Sequence, residues 1–203
     1  MKKPLIATTN PGKVQEFSKF LSVLQLELFS LRDLGITTVF EETGQTYKEN
    51  SQGKAIFYSK LSGLPAIADD GGIEIGALGG EPGVKSARWL GPNTTEDDII
   101  NHMIKVAREL PESNRDCSFK TVVSLATPDG NVWSTDGFIH GLIAKDPLQE
   151  HLKGYPYRSF FYLPKLKKFY HEKDLTEEEE KLYNHRYKAV KKLLPSIKKI
   201  LNI

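Results

Sequence analysis

The chain has 203 residues, of which 39% are hydrophobic and 27% are charged, and its formal net charge is +2. A chain of this length and composition can bury one sizeable core, so we predict a single folded domain over residues 1–203. The small net charge excludes an overall field that would draw the protein to DNA or to a membrane surface, so an anionic partner must be held by local groups.

The apolar stretch near the N terminus, residues 5–7, is too short for a signal peptide or a membrane span. The single cysteine, Cys117, excludes an internal disulfide and a zinc site built from several cysteines. It also agrees with a reducing compartment. We therefore expect a cytoplasmic protein.

The first predicted elements are a buried strand over residues 4–8 and a helix over residues 11–21. Asn10 is a favourable N-cap, and Pro11 suits the first helical position. A strand, a short polar loop and a helix N terminus together form an anion site, because free backbone N–H groups point at the loop. Lys13 is expected to reach the same anion. A capped helix with a surface lysine is the simpler alternative for this pattern taken alone.

A second strand is predicted over residues 24–29, and a second helix over residues 46–62. Thr46 and Glu49 form a capping box at the start of this helix, and Gly63 ends it. Lys54 lies two turns into the helix.

Glu41 and Glu42 stand just before the second helix. Either of them can join a metal site formed with acidic residues elsewhere in the chain. As isolated residues, both glutamates are expected on the solvated surface.

Two adjacent carboxylates, Asp69 and Asp70, follow a short predicted strand over residues 66–68. Their charges repel, and each raises the pKa of the other, so the fold must neutralise them. The usual agent is a divalent cation held by oxygen ligands, with phosphate oxygens and waters completing its shell. The alternative is a hairpin tip at which both acids face water.

A glycine-rich loop over residues 79–83 then leads to Lys85 and Arg88, whose charges suit a phosphate.

The second half of the chain begins with a predicted helix that ends near residue 110. Two strands follow over residues 118–126 and 131–143, and the Pro128-Asp129-Gly130 turn joins them as a hairpin. A helix that starts after Thr176 is expected to continue through residues 184–186. The last helix runs to about residue 201 and carries a stripe of lysines, for which we expect a solvated face.

Several ordered motifs in the N-terminal half resemble those of one known family. They are Thr9-Asn10-x-Gly-Lys13, Glu42-Thr43-Gly44, Glu49-Asn50 with Lys54, the Gly-Leu-Pro-x-x-Ala-Asp-Asp-x-Gly run of residues 63–72, and the Ala-Leu-Gly-Gly-x-Pro-Gly-Val-x-Ser-Ala-Arg run of residues 77–88. In this order and spacing they closely resemble the Ham1-like non-canonical purine nucleoside triphosphate pyrophosphatases, also called inosine triphosphatases.

The resemblance implies an activity and an architecture. The family hydrolyses ITP, XTP and their deoxy forms, such as dITP, to the monophosphate and pyrophosphate with Mg²⁺ as cofactor. It also implies a homodimer of elongated α/β subunits, each one domain with two lobes and an active site in the cleft between them.

Carried over by position, the resemblance assigns a role to each motif residue. The expected phosphate-binding residues are Thr9, Asn10, Lys13 and Lys54. The expected magnesium ligands are Glu42, Asp69 and Asp70. The expected catalytic residues are Asp70, which would orient or deprotonate the attacking water, and Lys54. These roles agree with the chemistry of the residues, because a triphosphate needs a helix N terminus, lysines and a magnesium-binding acid cluster around it.

The base-binding positions lie in the C-terminal third, where the resemblance is weaker. The expected residues are Tyr155, Arg158, Lys181, His185 and Arg186. An aromatic ring can stack on a purine, and a histidine and an arginine can donate hydrogen bonds to the 6-oxo group, whereas adenine would leave these donors unpaired.

Four departures from the family pattern stand out. Arg158 replaces an aspartate, which reverses a charge, and Gly71 replaces a serine or threonine. Lys181 is four residues before His185 where the family has five, and Asn184 replaces a serine.

From these observations we predict an α/β fold with a central mixed sheet, helices on both faces, and the activity of a magnesium-dependent nucleoside triphosphate pyrophosphatase. Two alternatives remain open, a nucleotide-binding protein with reduced or lost catalysis and a pyrophosphatase whose base preference Arg158 has changed. The expected partners are a small-molecule nucleoside triphosphate and a second copy of the chain, without nucleic acid or membrane. A nucleic-acid-binding module is disfavoured because no basic face interleaved with aromatic residues is visible in the sequence.

Overall fold

A computed structural model describes residues 3–171 and 173–203 of the chain. Within these residues the α-helices are α1 (Pro11–Leu21), α2 (Tyr47–Ser62), α3 (Glu96–Glu109), α4 (Glu177–Tyr183) and α5 (His185–Leu201). The strands are β1 (Leu5–Ile6), β2 (Phe29–Ser30), β3 (Ala66–Ile75), β4 (Asp116–Ala126), β5 (Val132–Ile143), β6 (Phe161–Leu163) and β7 (Lys168–Phe169). Short 3₁₀ helices cover Ser22–Leu24, Gly76–Leu78, Gly83–Arg88 and Arg158–Phe160.

The strands form one sheet in the order β2-β1-β3-β4-β5-β6-β7. Strand β1 pairs in parallel with both β2 and β3, whereas β6 pairs antiparallel with β5 and with β7. The sheet is therefore mixed, which confirms the predicted fold class.

The chain divides into two compact units, of which the first contains residues 3–70, 121–137 and 186–203. In this unit the two side chains of β1 point to opposite faces of the sheet. Ile6 packs in a core with Phe17 of α1 and Val190 of α5. Leu5 packs in a second core with Tyr58 of α2. Helices thus cover both faces of the sheet in this unit, as predicted.

The second unit contains residues 71–120 and 138–185. Its core is built from alternate residues of β3 and from α3, with Ile73, Ile75 and Met103 fully buried. Aromatic side chains of β4 and β6, including Phe119 and Phe161, complete this core.

Local signals placed the starts of α1 and α2 correctly. The side chain of Asn10 accepts hydrogen bonds from the N–H groups of Gly12 and Lys13 at the start of α1. Thr46 and Glu49 form the expected capping box at the start of α2. These interactions join residues two or three positions apart, so they form wherever the helix lies in the fold.

The strand predicted over residues 24–29 is wrong in extent. Residues Ser22–Leu24 form a 3₁₀ helix and Gln25 has a φ of 50°, so the chain becomes a strand only at Phe29. A left-handed backbone at Gln25 is incompatible with an extended strand.

The strand predicted over residues 66–68 is too short. Strand β3 continues to Ile75, so Asp69 and Asp70 lie inside a strand and not beyond its end. Gly72 allows the strand to continue past a close neighbour, because a Cβ atom there would lie 2.2 Å from Oγ of Ser86. The predicted loop after residue 79 also differs, since Gly83–Arg88 form a 3₁₀ helix.

The helix predicted to carry residues 184–186 is interrupted. Helix α4 ends at Tyr183, Asn184 is extended, and α5 starts at His185. His185 and Arg186 therefore lie in the first turn of α5. Strands β6 and β7, with three and two residues, had no signal in the sequence strong enough to predict them.

None of the described helices is long and apolar enough to cross a membrane.

Candidate active site

The adjacent acids of β3 lie in the first unit, where side chains from three helices converge on them. Helix α1 supplies Lys13, α2 supplies Asn50 and Lys54, and α5 supplies Arg186. The two acids are nearly inaccessible to solvent, with 1% and 6% of their surfaces exposed. Such buried charges are stable only when paired or hydrogen-bonded.

Asp69 is surrounded by positive charge. Its Oδ2 atom lies 3.1 Å from Nζ of Lys13 and accepts a hydrogen bond of 2.9 Å from Nε of Arg186. Its backbone carbonyl accepts a hydrogen bond of 3.0 Å from Nζ of Lys54. Burial alone would raise the pKa of Asp69, but the three cations outweigh burial and hold that pKa well below its usual range.

Arg186 is itself held from a second side. Its Nη1 atom forms an ion pair with Oε2 of Glu16, and both side chains are almost fully buried. One guanidinium thus links α1 to the acid of β3. Sequence reasoning missed Glu16, although a glutamate beside Phe17 and one turn before Phe20 on the buried helix face was a usable signal.

Asp70 has the opposite electrostatic environment. Its Oδ2 atom accepts a hydrogen bond of 2.9 Å from Nδ2 of Asn50, and its carbonyl accepts one of 3.0 Å from Oγ1 of Thr121. Burial and the negative charge of Glu42 raise its pKa to about 6, and the Asn50 hydrogen bond and the nearby lysines offset part of this rise. Sequence reasoning gave neither Asn50 nor Thr121 a role.

Glu42, and not Glu41, is the glutamate that reaches this cluster. Glu42 forms an ion pair with Nζ of Lys54, and their side chains are 23% and 12% exposed. Burial acts to lower the pKa of Lys54, but the charges of Glu42 and Asp69 outweigh it, and the pKa is raised. Lys54 is therefore a firmly protonated cation.

Lys13 differs from Lys54 because its pKa is lowered. Burial lowers its pKa, Asp69 opposes this effect, and the positive charges of Arg186 and Lys54 add to it. An incoming anion would relieve the repulsion among these three cations. Lys13 lies in the first turn of α1, beyond the N-cap Asn10, while Thr9 is exposed in the loop before it.

The carboxylate oxygens of this cluster indicate whether it suits Mg²⁺. Oδ1 of Asp69 is buried and lacks a hydrogen-bond partner among the described residues, which suits a metal ligand. However, in the described part of the chain no three acidic, histidine or cysteine side chains lie together as a metal-binding group. Glu42, Asp69 and Asp70 therefore do not form a complete metal-binding site by themselves. Mg²⁺ is commonly bound by one or two carboxylates with waters and substrate phosphates, and this cluster fits that mode.

The other predicted base-binding residues lie in the second unit. The guanidinium of Arg158 stacks 3.8 Å from the ring centre of Tyr155 and 4.5 Å from that of Tyr170. The ring of His185 lies 6.0 Å from Tyr170. The structure thus brings Tyr155, Arg158 and His185 into one aromatic cluster, while Lys181 is exposed on α4. Lys85 and Arg88, whose charges were expected to suit a phosphate, also lie in the second unit, whereas the acid cluster lies in the first.

Comparison with known proteins identifies relatives over nearly the full length. The model of the Ham1 family matches residues 5–196. A dITP/XTP pyrophosphatase of Thermus thermophilus is 40% identical over 196 residues, which cover 97% of this chain and 92% of that protein. The dITP/XTP pyrophosphatase of Bacillus subtilis is 35% identical, over 95% of this chain and 96% of that protein.

Solved structures show the same similarity. A HAM1 protein from Coxiella burnetii superposes with a TM-score of 0.82 at 30% identity, covering 98% of this chain and all of that one. A nucleoside-triphosphatase, or dITP/XTP pyrophosphatase, from Mycobacterium abscessus gives a TM-score of 0.70 at 33% identity, covering 95% and 99% of the two chains.

Proposed function

The chain belongs to the Ham1 family, and we propose that it is a pyrophosphatase for non-canonical purine nucleotides, with dITP, ITP and XTP as substrates. It cleaves the bond between the α- and β-phosphates, adds water, and releases the nucleoside monophosphate and pyrophosphate. In the cell this reaction removes damaged purine nucleotides from the nucleotide pool. The reaction class is that of its curated relatives, a nucleoside triphosphate pyrophosphatase.

The observation that carries this proposal is the convergence of Lys13, Lys54 and Arg186 on Asp69, which is buried beside a second buried acid, Asp70. A triphosphate carries about four negative charges, and such a group of cations is what a site for it requires. The full set of acids beside the cations supports a catalyst, because a protein that only bound the nucleotide would have little need of them.

Each residue has a distinct part in the proposed reaction. Lys13 and Lys54 bind phosphate oxygens and reduce the charge that repels an attacking nucleophile. Asp70 orients a water molecule and accepts its proton, and its raised pKa supports this role. Asp69 stays ionised and holds Lys13 and Arg186 in place. Thr9 and Asn10 contribute hydrogen bonds to phosphate at the start of α1.

Mg²⁺ is the proposed cofactor. Asp69, Asp70 and Glu42 would hold it together with the substrate's phosphates, and when bound it neutralises the charge that develops on the phosphate oxygens. This assignment is supported by the buried Oδ1 atom of Asp69, which has no hydrogen-bond partner among the residues that the structure describes.

The test is a panel of ITP, dITP, XTP, GTP, ATP, dUTP and CTP, each incubated with the protein and magnesium. Nucleotide products are separated, and pyrophosphate is assayed against orthophosphate. We expect selective release of pyrophosphate from ITP, dITP and XTP. Release of orthophosphate in place of pyrophosphate would contradict the proposed bond cleavage, and binding without turnover would favour the nucleotide-binding alternative.

A changed base preference is a second candidate, and the position of Arg158 favours it. This residue is 5% exposed, and its guanidinium covers one face of Tyr155, which the resemblance assigns to stacking on the base. A purine can use that face only if Arg158 moves. The substitution Arg158→Asp restores the family's acid, and we expect it to shift the ratio of kcat/KM values across the panel. An unchanged ratio would remove Arg158 from base recognition, and with it this candidate.

We also propose that Lys181, His185 and Arg186 contact the base and that the enzyme is a cytoplasmic homodimer, as the resemblance implies. Sedimentation equilibrium measures the oligomeric state, and the mass of a single chain would contradict the dimer.

A further inference from the structure

Asn50 is a buried side chain with no role in the chemistry described above. It lies in the first turn of α2, and 1% of its surface is exposed. Both ends of its amide are engaged in hydrogen bonds. Nδ2 donates to Oδ2 of Asp70 at 2.9 Å, and Oδ1 accepts from the backbone N–H of Gly44 at 2.7 Å.

The two bonds join two parts of the acid cluster. Asp70 belongs to β3, whereas Gly44 lies two residues after Glu42, in the loop that delivers Glu42 to Lys54. The direction of the Asp70 carboxylate and the position of this loop are therefore set by one rigid amide plane.

An amide is the side chain that these contacts require. It donates at one end and accepts at the other, whereas an aspartate at the same place could only accept and would set a second negative charge against Asp70. The Asn50 amide also lies very close to the backbone of this loop at Gly44. A Cβ atom at Gly44 would lie 2.6 Å from Oδ1 of Asn50, so glycine is needed there.

The backbone of Asp70 is fixed without Asn50. It lies within β3, and its carbonyl is held by Thr121. Loss of the amide should therefore leave the strand in place and release only rotation of the carboxylate about its Cβ–Cγ bond.

We propose that Asn50 is a positioning residue, which aims the carboxylate of Asp70 at the attacking water and keeps it in register with the loop that carries Glu42. This inference rests on the proposed function, in which Asp70 accepts the proton of that water. A misdirected base slows the chemical step, whereas the lysines that bind the phosphates are untouched. Asn50 therefore acts on kcat and not on substrate binding.

The test compares Asn50→Ala and Asn50→Asp with wild-type protein, using dITP and magnesium. We expect kcat to fall about 100-fold in both variants while KM stays within about threefold, because loss of alignment affects only the transition state. Ser59→Ala is the matched control. Ser59 is equally buried on α2 but binds the carbonyl of Leu64, so its kcat should match that of wild type.

A swapped variant separates positioning from stability. Asn50→Asp alone should lower the Tm, because it places two carboxylates together in a buried site. Adding Asp70→Asn restores a donor and an acceptor in exchanged positions, so the Tm should recover while the residual turnover of Asn50→Asp is lost with the proposed base. A hydrogen bond that served the fold alone would change the Tm of the Asn50 variants but not their kcat.

The outcomes separate the role of Asn50 from the proposed function of the protein. Wild-type protein that releases pyrophosphate, together with an Asn50→Ala variant whose kcat is within about threefold of wild type, overturns the positioning role alone. Wild-type protein that releases no pyrophosphate from any nucleotide overturns the proposed function and this inference with it. A KM that rises while kcat is retained would place Asn50 in binding and also reject the inference.

Discussion

Asp69 and Asp70 are consecutive residues whose environments shift their pKa values in opposite directions. Three cations keep Asp69 ionised, whereas burial and Glu42 raise the pKa of Asp70 to about 6. Two carboxyl groups separated in this way can take different roles, one as a fixed charge and the other as a proton acceptor. Mg²⁺ bound beside Asp70 would lower its pKa and keep it ionised at neutral pH.

The raised pKa has a consequence for stability in the metal-free protein. The ordinary value is 3.8 and the folded-state value is about 6, so folding favours the protonated form of Asp70. Its contribution to the free energy of unfolding is thus fully present below pH 4 and is lost as the pH rises through 6. The isosteric Asp70→Asn variant carries no charge at this position, so its free energy of unfolding does not fall in this way as the pH rises.

We expect Asp70→Asn to be inactive yet more stable than wild type at neutral pH without metal. The difference in free energy of unfolding should be small at pH 4 and reach about 2 to 3 kcal/mol at pH 7.5, since one pKa unit corresponds to about 1.4 kcal/mol. Urea unfolding in EDTA at several pH values measures it. A difference that does not change with pH would show that Asp70 titrates normally, and retained turnover would remove Asp70 from the mechanism.

At the scale of elements, one guanidinium holds three of them together. Arg186 at the start of α5 binds Asp69 of β3 and Glu16 of α1. Removal of one partner from a buried ion pair leaves an uncompensated charge, which costs more than the pair contributes in total. This arrangement also fixes Arg186 in the absence of substrate, so any contact between Arg186 and a base is made by a residue that is already oriented.

A double-mutant cycle on Glu16→Gln and Arg186→Met tests this link. We expect each single variant to lose about 3 kcal/mol of unfolding free energy and the pair to lose clearly less than the sum, because the partners share one interaction. Lys192→Met on the same helix is the control. Its ion pair with Asp136 is more than half exposed on both sides, so its loss should cost less than about 1 kcal/mol. Additive effects of the Glu16 and Arg186 variants would contradict the proposed coupling.

For the whole molecule, the proposed function predicts how metal and nucleotide bind together. No three metal-binding side chains are gathered in the described residues, so we expect the substrate's phosphates to supply part of the proposed magnesium shell. Metal and nucleotide should therefore bind cooperatively.

This cooperativity can be measured by thermal unfolding. We expect Mg²⁺ alone to leave the Tm nearly unchanged, and Mg²⁺ with an α,β-imido analogue of dITP to raise it strongly, by an amount equivalent to about 2.7 kcal/mol at 100 times the dissociation constant. Calcium with the same analogue controls for simple charge neutralisation. A large Tm increase with Mg²⁺ alone would reveal a complete metal site in the protein itself.

The sequence by itself determined the features that depend on neighbouring residues. The caps of α1 and α2 and the alternation of apolar residues are local, and they gave the helices and the α/β class. The spacing of motifs gave the family. It also grouped Lys13, Lys54 and the two acids in one predicted site, and the structure brings these residues together.

Only the tertiary structure decided which charges meet. Arg186 lies 117 residues from Asp69 in the chain, and Asn50 lies 20 residues from Asp70, so no local pattern links them. The same holds for Glu16 and for the short strands β6 and β7, which exist because neighbouring strands pair with them. A pKa depends on burial and on the distance to other charges, and both are properties of the folded chain. The opposite pKa shifts of two adjacent aspartates were therefore fixed by folding and not by their place in the sequence.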